Sequence, residues 1–243
     1  MISCIMPTLA RPHLVEQSIR MFELQTYQNR TLLVIDTGNQ MPPTTGDRWR
    51  IVPDDCVPYS QGCLINRAIR DLPGTLIARW DDDDQYFPWH LEACVEALAY
   101  RPWAVPSRVW DCFADATIMS QTCRSGDGRD ASYAACWSFT KEAWKKVGGY
   151  PEEDESEGEC DFRLKLWAAF GAPADTISDR FPMPSYCYSR VRSPDVHDST
   201  HTREERIARR RKEYPKHPAV TIRWPDNYML GFPLNPVLSQ RRW

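Results

Sequence analysis

The sequence predicts an α/β domain in which helices flank a mostly parallel central sheet. Short apolar segments at residues 2–6, 31–35 and 75–80 are typical of buried strands. Segments with helical spacing of apolar residues lie between them. Strands that alternate with helices form parallel sheets with crossover connections. Such sheets bind ligands at the carboxyl ends of their strands, so we expect the functional site at that edge.

The first predicted strand covers residues 2–6 and is ended by Pro7 and Thr8. A helix is predicted from Pro12, because apolar side chains follow at loose helical spacing. These side chains are Leu14, Ile19, Phe22 and Leu24.

The second predicted strand covers residues 31–36. It ends at an acid, Asp36, and Gly38 and Asn39 follow as turn residues. A second helix is predicted over residues 62–71, and the third strand covers residues 75–80. Thr8, Asp36 and the acids after the third strand all fall at strand ends. These three separate segments are therefore expected to meet in one crevice.

Four consecutive acids follow the third strand, and they are Asp81, Asp82, Asp83 and Asp84. Carboxylates at the end of a buried strand repel one another and lose hydration. A divalent cation relieves that repulsion, and Mg²⁺ or Mn²⁺ takes carboxylates together with substrate phosphates. The alternative is an acidic turn or helix N-cap before Pro88, which suits the helix dipole.

Four segments resemble the inverting glycosyltransferases of family 2, which have the nucleotide-sugar-binding fold called GT-A. They are residues 3–39 (SCIMPTLARPHLVEQSIRMFELQTYQNRTLLVIDTGN), 64–92 (LINRAIRDLPGTLIARWDDDDQYFPWHLE), 136–152 (CWSFTKEAWKKVGGYPE) and 158–168 (GECDFRLKLWA). The order and spacing of these pieces make the resemblance more specific than an Asp-x-Asp element alone. The resemblance implies transfer of a sugar from a nucleotide-diphosphate donor, which is expected to be UDP-linked, to a hydroxyl acceptor.

The resemblance also implies roles for the side chains at the predicted crevice. Thr8 and Asp36 would contact the uridine part of the donor, although both also suit turns at strand ends. Asp81 and Asp83 correspond to the Asp-x-Asp element. Asp83 would bind Mn²⁺ or Mg²⁺, Asp81 would face the ribose or the metal shell, and Asp82 would lie between them at the donor. The cation would neutralise charge on the departing diphosphate.

The catalytic base is expected near the start of GECDFRLKL. The resemblance places Glu159 at the family's catalytic aspartate, whereas Gly158 replaces the acid that usually precedes it. Glu157 and Asp161 therefore remain alternatives, because the reaction needs one carboxylate within hydrogen-bond reach of the acceptor hydroxyl. The same acids also suit a solvated loop that caps the next helix.

The segment at residues 185–202 (SYCYSRVRSPDVHDSTHT) supplies further candidates. The resemblance implies a histidine ligand to the metal after the catalytic helix, and His197 is favoured over His201 by position. Arg190 and Arg192 suit the donor phosphates, since guanidinium pairs with phosphate bidentately. Both arginines also suit an exposed surface.

The expected organisation is a GT-A domain at residues 1–202, with a nucleotide-binding half at 1–100 and an acceptor half at 101–202. Residues 203–243 are predicted to form a basic helix and an extended, proline-rich tail that packs on the domain. The acceptor is expected to be a glycan or a lipid-linked sugar rather than nucleic acid. Trp137 is a candidate wall for this acceptor, with core packing as the alternative.

The composition agrees with a soluble enzyme. The chain has 243 residues, which suits one large domain, and a net charge of -3, which gives no overall attraction to nucleic acid. No apolar run approaches the roughly 18 residues of a membrane span. The start at residues 1–4 lacks the features of a signal peptide. Nine scattered cysteines are typical of free thiols, so a cytoplasmic, reduced protein is expected.

Three other functions remain open at this point. A nucleotidyltransferase usually has a glycine-rich phosphate loop near the first strand, and residues 7–13 contain no glycine. A catalytically silent sugar- or nucleotide-binding protein is favoured by the missing acid at Gly158. A glycosyltransferase that acts on a nucleic-acid base is favoured by the basic segment at residues 203–217.

Overall fold

The computed structural model describes residues 1–9, 11–54, 60–112, 118–123, 133–152 and 158–189. The strands are β1 (Ile2–Thr8), β2 (Arg30–Asp36), β3 (Thr44–Thr45), β4 (Trp49–Pro53), β5 (Leu76–Arg79), β6 (Gln85–Tyr86), β7 (Trp103–Ala104), β8 (Arg108–Cys112), β9 (Ile118–Thr122), β10 (Ser138–Thr140) and β11 (Tyr186–Ser189). The helices are α1 (Pro12–Glu23), α2 (Gln61–Asp71), α3 (His90–Leu98), α4 (Lys141–Lys146) and α5 (Gly158–Phe170), with a short 3-10 helix at Ala134–Cys136.

The strands form two sheets. The larger sheet has the order β3-β4-β2-β1-β5-β10-β7, and the smaller sheet has the order β6-β11-β8-β9. The four strands β4, β2, β1 and β5 run parallel, whereas β3, β10 and β7 are added in antiparallel pairs. The predicted α/β fold with a central sheet flanked by helices is therefore confirmed, with antiparallel strands at both sides of the parallel centre.

The register of β1 and β2 brings two predicted site residues together. The pairing begins at Ile2 with Arg30 and ends at Thr8 with Asp36. Because β5 also runs parallel to β1, the acids that follow β5 reach the same edge of the sheet. The convergence expected from the three strand ends is thus present in the fold.

The core lies between the larger sheet and its helices. Ile2, Ile5 and Met6 in β1 are fully buried, as is usual for a parallel strand that is covered on both faces. In α1, Ile19 and Phe22 are buried as the spacing predicts. Leu24 is 36% exposed because the helix ends one residue before it.

None of the helices in the described part of the chain combines the length and apolar character that crossing a membrane requires. The predicted basic helix and proline-rich tail at residues 203–243 lie outside the described residues. The division of the domain into two functional halves stays a prediction.

A buried asparagine connects α2 to the turn that precedes α5. The Asn66 side-chain amide donates to the Tyr150 carbonyl at 2.8 Å and to the Glu152 carboxylate at 2.9 Å. Its oxygen accepts from the Trp144 indole at 2.8 Å and from the Tyr150 backbone N–H at 2.9 Å. Asn66 therefore fixes Tyr150 and Glu152 against α2.

Two neighbouring glycines before Tyr150 provide a matched test of this packing. Gly148 and Gly149 have φ angles of 78° and 76°, so alanine is strained at either position, at a cost of about 1–2 kcal/mol. A Cβ at Gly148 meets open space, whereas a Cβ at Gly149 would lie 2.6 Å from the Asn66 side-chain oxygen. Gly149→Ala is therefore expected to lower the free energy of unfolding by about 2 kcal/mol more than Gly148→Ala. Urea denaturation of both variants measures this difference, and equal losses would contradict it.

His90 gives the fold a specific pH dependence. Burial lowers the pKa of His90 from its ordinary value of 6.5 to about 3. The unfolded chain therefore takes up a proton between these two values while the folded protein does not. Stability is lost as pH falls through this window, by about 2 kcal/mol between pH 7 and pH 5. Comparison of urea denaturation of the wild type and His90→Gln at both pH values isolates this contribution, and parallel pH dependence of the two proteins would contradict it.

Candidate active site at the carboxyl edge of the sheet

The four consecutive acids form the connection between β5 and β6. Trp80 precedes them, is fully buried, and stacks on Tyr86 with ring centroids 3.7 Å apart. The Tyr86 hydroxyl accepts a hydrogen bond from the Asp81 backbone N–H at 2.7 Å. Aromatic packing therefore holds both ends of the turn, and the carboxylates project from a supported backbone.

Three of these carboxylates form one group. Oxygen atoms of Asp81, Asp83 and Asp84 all lie within 4.8 Å of one another. Each is a hard oxygen donor of the kind that Mg²⁺ and Mn²⁺ prefer. Sequence reasoning selected Asp81 and Asp83 for the metal but did not select Asp84, because spacing alone does not give the direction of a side chain in a turn.

The remaining acid, Asp82, faces the loop after β1. One of its oxygens accepts a hydrogen bond from the Thr8 hydroxyl at 2.5 Å, and the other lies 2.8 Å from the Arg11 guanidinium. Both Thr8 and Asp82 are buried. The structure thus brings together two residues that were predicted to contact the donor.

Arg11 contacts two consecutive acids of the turn. Its guanidinium lies 2.8 Å from an Asp82 oxygen and 2.7 Å from an Asp83 oxygen. Its side chain is 10% exposed. Sequence reasoning missed this residue, although a cation directly before the first helix was an available signal.

A tyrosine of the smaller sheet orients the Asp84 carboxylate. It is buried and accepts a hydrogen bond from the Tyr186 hydroxyl in β11. Burial and the nearby Asp84 charge raise the pKa of Tyr186 well above its ordinary value. Tyr186 therefore stays protonated and acts as a hydrogen-bond donor, a role that sequence reasoning did not identify.

Asp36 shapes the turn after β2. Its buried carboxylate accepts hydrogen bonds from the backbone N–H groups of Gly38 at 3.0 Å, Gln40 at 2.5 Å and Met41 at 2.7 Å. These contacts agree with the alternative that Asp36 is a turn former. Its predicted contact with uridine stays a prediction.

Glu159 lies at the start of α5 and is connected to the acidic turn through a buried arginine. The Arg79 guanidinium lies 2.8 Å from the Glu159 carboxylate and 3.7 Å from the Asp81 carboxylate. Burial opposes the positive charge of Arg79, but Glu159, Tyr150 and Asp81 together outweigh burial and raise the pKa of Arg79. The structure therefore places Glu159 and Asp81 on the same guanidinium. Asp161, the alternative base, is exposed two residues further along α5.

The other candidates fall into two groups. Glu157, Arg192 and His197 lie outside the described residues, so their predicted roles stay predictions. Trp137 is 3% exposed and belongs to the hydrophobic core, which supports core packing rather than an acceptor wall.

Comparisons with known proteins identify similar folds. No protein-family model and no curated protein sequence matches this chain. Residues 1–349 of S. aureus TarS in complex with UDP-GlcNAc align with a TM-score of 0.60 and 12% identity over 79% of this chain and 59% of that one. The chain therefore spans less than two thirds of that structure. The same TarS region with UDP aligns at a TM-score of 0.60 and 10% identity, over 94% and 76%.

A mannosyltransferase is similar as well. PcManGT from Pyrobaculum calidifontis, in complex with GDP-Man and Mn²⁺, aligns with a TM-score of 0.55 and 15% identity. The alignment covers 79% of this chain and 57% of that one. At these identities, the comparisons establish a glycosyltransferase-type fold of the GT-A kind for this chain.

Proposed function

We propose that the protein is a metal-dependent, inverting glycosyltransferase of family 2. It transfers a sugar from a nucleotide-diphosphate donor, which we infer to be UDP-linked, to a hydroxyl group of a glycan or a lipid-linked sugar. The observation that carries this proposal is the group formed by Asp81, Asp83 and Asp84 at the carboxyl edge of the sheet. Similar folds hold UDP-GlcNAc in TarS and GDP-Man with Mn²⁺ in the mannosyltransferase.

The charges around the acidic turn suit a divalent cation. The acidic turn has four carboxylates, and the guanidinium groups of Arg11 and Arg79 contact it, although Arg79 also pairs with Glu159 at a shorter distance. These carboxylates outnumber the two guanidinium groups, so a divalent cation would offset negative charge that remains. We propose that Asp81, Asp83 and Asp84 hold Mn²⁺ or Mg²⁺, with His197 as a further predicted ligand. A cation bound there supplies positive charge that stabilises a departing diphosphate.

The donor is proposed to lie along the ends of β1 and β2. Thr8 and Asp36 are register partners there, and Thr8 joins this edge to Asp82. These three side chains would form the nucleoside side of the donor pocket. The predicted contribution of Arg192 to the donor phosphates completes this proposal.

Glu159 is proposed as the general base that takes the proton from the acceptor hydroxyl. The carboxylates of Glu159 and Asp81 contact the same Arg79 guanidinium, which supports a role for Glu159 close to the acidic turn. A base in an inverting transfer must reach the acceptor hydroxyl while that oxygen attacks the sugar. Asp161 and Glu157 remain the alternative bases.

Binding of nucleoside diphosphates tests the donor and metal together. Thermal unfolding is measured with UDP or GDP, each in Mn²⁺ and in EDTA. A ligand that binds only the folded state raises the unfolding temperature. We expect UDP to stabilise the protein in Mn²⁺ and not in EDTA. If neither nucleotide shifts unfolding under either condition, the proposed function is wrong.

A silent binding protein is the second candidate, because Gly158 carries no side chain where the family usually has an acid. Hydrolysis of UDP-GlcNAc without an added acceptor distinguishes the two functions, since water can replace the acceptor hydroxyl in an active enzyme. Slow, Mn²⁺-dependent release of UDP supports the transferase. Mn²⁺-dependent UDP binding without release from any UDP-sugar, with or without glycan acceptors, supports the silent protein.

A further inference from the structure

Arg79 is an unusual residue for its position. It ends β5, in which Ile77 and Ala78 are fully buried, and it is itself 1% exposed. Removal of a guanidinium group from water costs much more than burial of an apolar side chain of similar size. The surrounding strand therefore does not explain why an arginine stands here.

Arg79 contacts two different parts of the proposed site. One terminal nitrogen lies 2.8 Å from the Glu159 carboxylate in α5, and the other lies 3.7 Å from the Asp81 carboxylate in the acidic turn. The shorter contact is the one to Glu159. The guanidinium group thus joins the proposed base to the proposed metal site.

Packing behind the guanidinium supports the same geometry. The Arg79 guanidinium carbon lies 5.9 Å from the centre of the Tyr150 ring. Tyr150 in turn stacks on Phe162 of α5, with ring centroids 3.9 Å apart. The aromatic pair therefore fixes α5 relative to the arginine that contacts its first turn.

We propose that Arg79 is a positioning residue that fixes the direction of the Glu159 carboxylate relative to the acidic turn. This inference rests on the proposed function. The Glu159 side chain is 38% exposed, so without a partner it would sample several rotamers in water. A planar guanidinium on a buried strand restricts it to one direction. Loss of such alignment lowers turnover, because small displacements of a reacting group are costly.

Arg79→Met tests this role by removal of the guanidinium while the aliphatic packing is kept. We expect kcat for the transfer, or for hydrolysis of UDP-GlcNAc, to fall by about tenfold to a hundredfold. The KM for the donor and the Mn²⁺-dependent affinity for UDP are expected to change much less than kcat does, since the shorter contact of Arg79 is to Glu159 and not to the acidic turn. Arg79→Lys is expected to retain more activity than Arg79→Gln, because it keeps the charge.

Chemical rescue distinguishes positioning from general loss of structure. Arg79→Ala is assayed with added guanidinium ion and with added methylammonium ion. We expect guanidinium to restore turnover more than methylammonium does, since only the former reproduces a planar pair of donors. The concentrations are kept below those that unfold the protein.

Arg30 provides a matched control. It is also a buried arginine, on β2, which β1 separates from β5. Its guanidinium donates to the main-chain carbonyls of Phe22, Glu23 and Tyr27. It lies at the opposite end of the parallel sheet from the acidic turn. Arg30→Met is expected to lower the unfolding temperature while kcat of the folded enzyme stays unchanged.

The outcomes separate this inference from the proposed function. A wild type without turnover of any UDP-sugar would refute the proposed activity and, with it, the role of Arg79. An active wild type with unchanged kcat in Arg79→Met would overturn the inference alone. If Arg79→Met does not fold, Arg79→Gln provides the same comparison, and its unchanged kcat would be equally decisive.

Discussion

Glu159→Gln is expected to reduce turnover by about a hundredfold or more, the usual contribution of a general base. Glutamine keeps the size of the side chain and can still contact Arg79, but it cannot accept the proton of the acceptor hydroxyl. The affinity for UDP in the presence of Mn²⁺ should therefore be unchanged. Steady-state kinetics and calorimetric titration with UDP measure the two properties separately.

Asp161→Asn is the matched control for this experiment. Asp161 lies on the same helix two residues later and is exposed. We expect its variant to turn over at nearly the wild-type rate. The opposite pattern, with Asp161→Asn inactive and Glu159→Gln active, would transfer the role of base to Asp161. If both variants are active, Glu157 becomes the candidate.

Asp83→Asn is expected to abolish Mn²⁺-dependent binding of UDP while the protein remains folded. Asp83 belongs to the group of three carboxylates, and its amide would be a weaker, uncharged ligand. The substitution also removes the ion pair with Arg11, which then remains paired with Asp82. Calorimetric titration with UDP in Mn²⁺ and in EDTA measures the effect.

An aspartate far from this group serves as the control. The Asp47 side chain is 93% exposed, and Asp47→Asn is expected to bind UDP as the wild type does. Circular dichroism of both variants shows whether either has lost its fold. Unchanged metal-dependent affinity in Asp83→Asn would remove Asp83 from the proposed metal site. Loss of UDP affinity in EDTA as well as in Mn²⁺ would indicate a broader disruption of the pocket.

These two predictions concern opposite ends of one charged arrangement. The Arg11 guanidinium contacts the acidic turn from the α1 side, and Arg79 contacts it from the side of α5. Two cations therefore support the acids without matching their total charge. This incomplete compensation is the physical reason to expect that both donor binding and turnover respond to the divalent cation.

The sequence by itself determined the fold class and predicted that three strand ends meet at one edge of the sheet. Apolar runs and helical spacing are local patterns, and they predicted the strands β1, β2 and β5 within one or two residues. A parallel arrangement then required Thr8, Asp36 and the acidic turn to share one edge. Repulsion among consecutive carboxylates is also a local property, so the hypothesis of a bound cation followed from the sequence alone.

Only the tertiary structure decided which partner each acid takes. Asp82 turns to Thr8 and Arg11, whereas Asp84 turns to Tyr186, more than a hundred residues away along the chain. The contact between Arg79 and Glu159 could not be predicted either, since the two residues are 80 positions apart in the sequence. Side-chain directions in a turn follow from packing against distant elements. The periodicity of apolar residues along the sequence does not reveal those contacts.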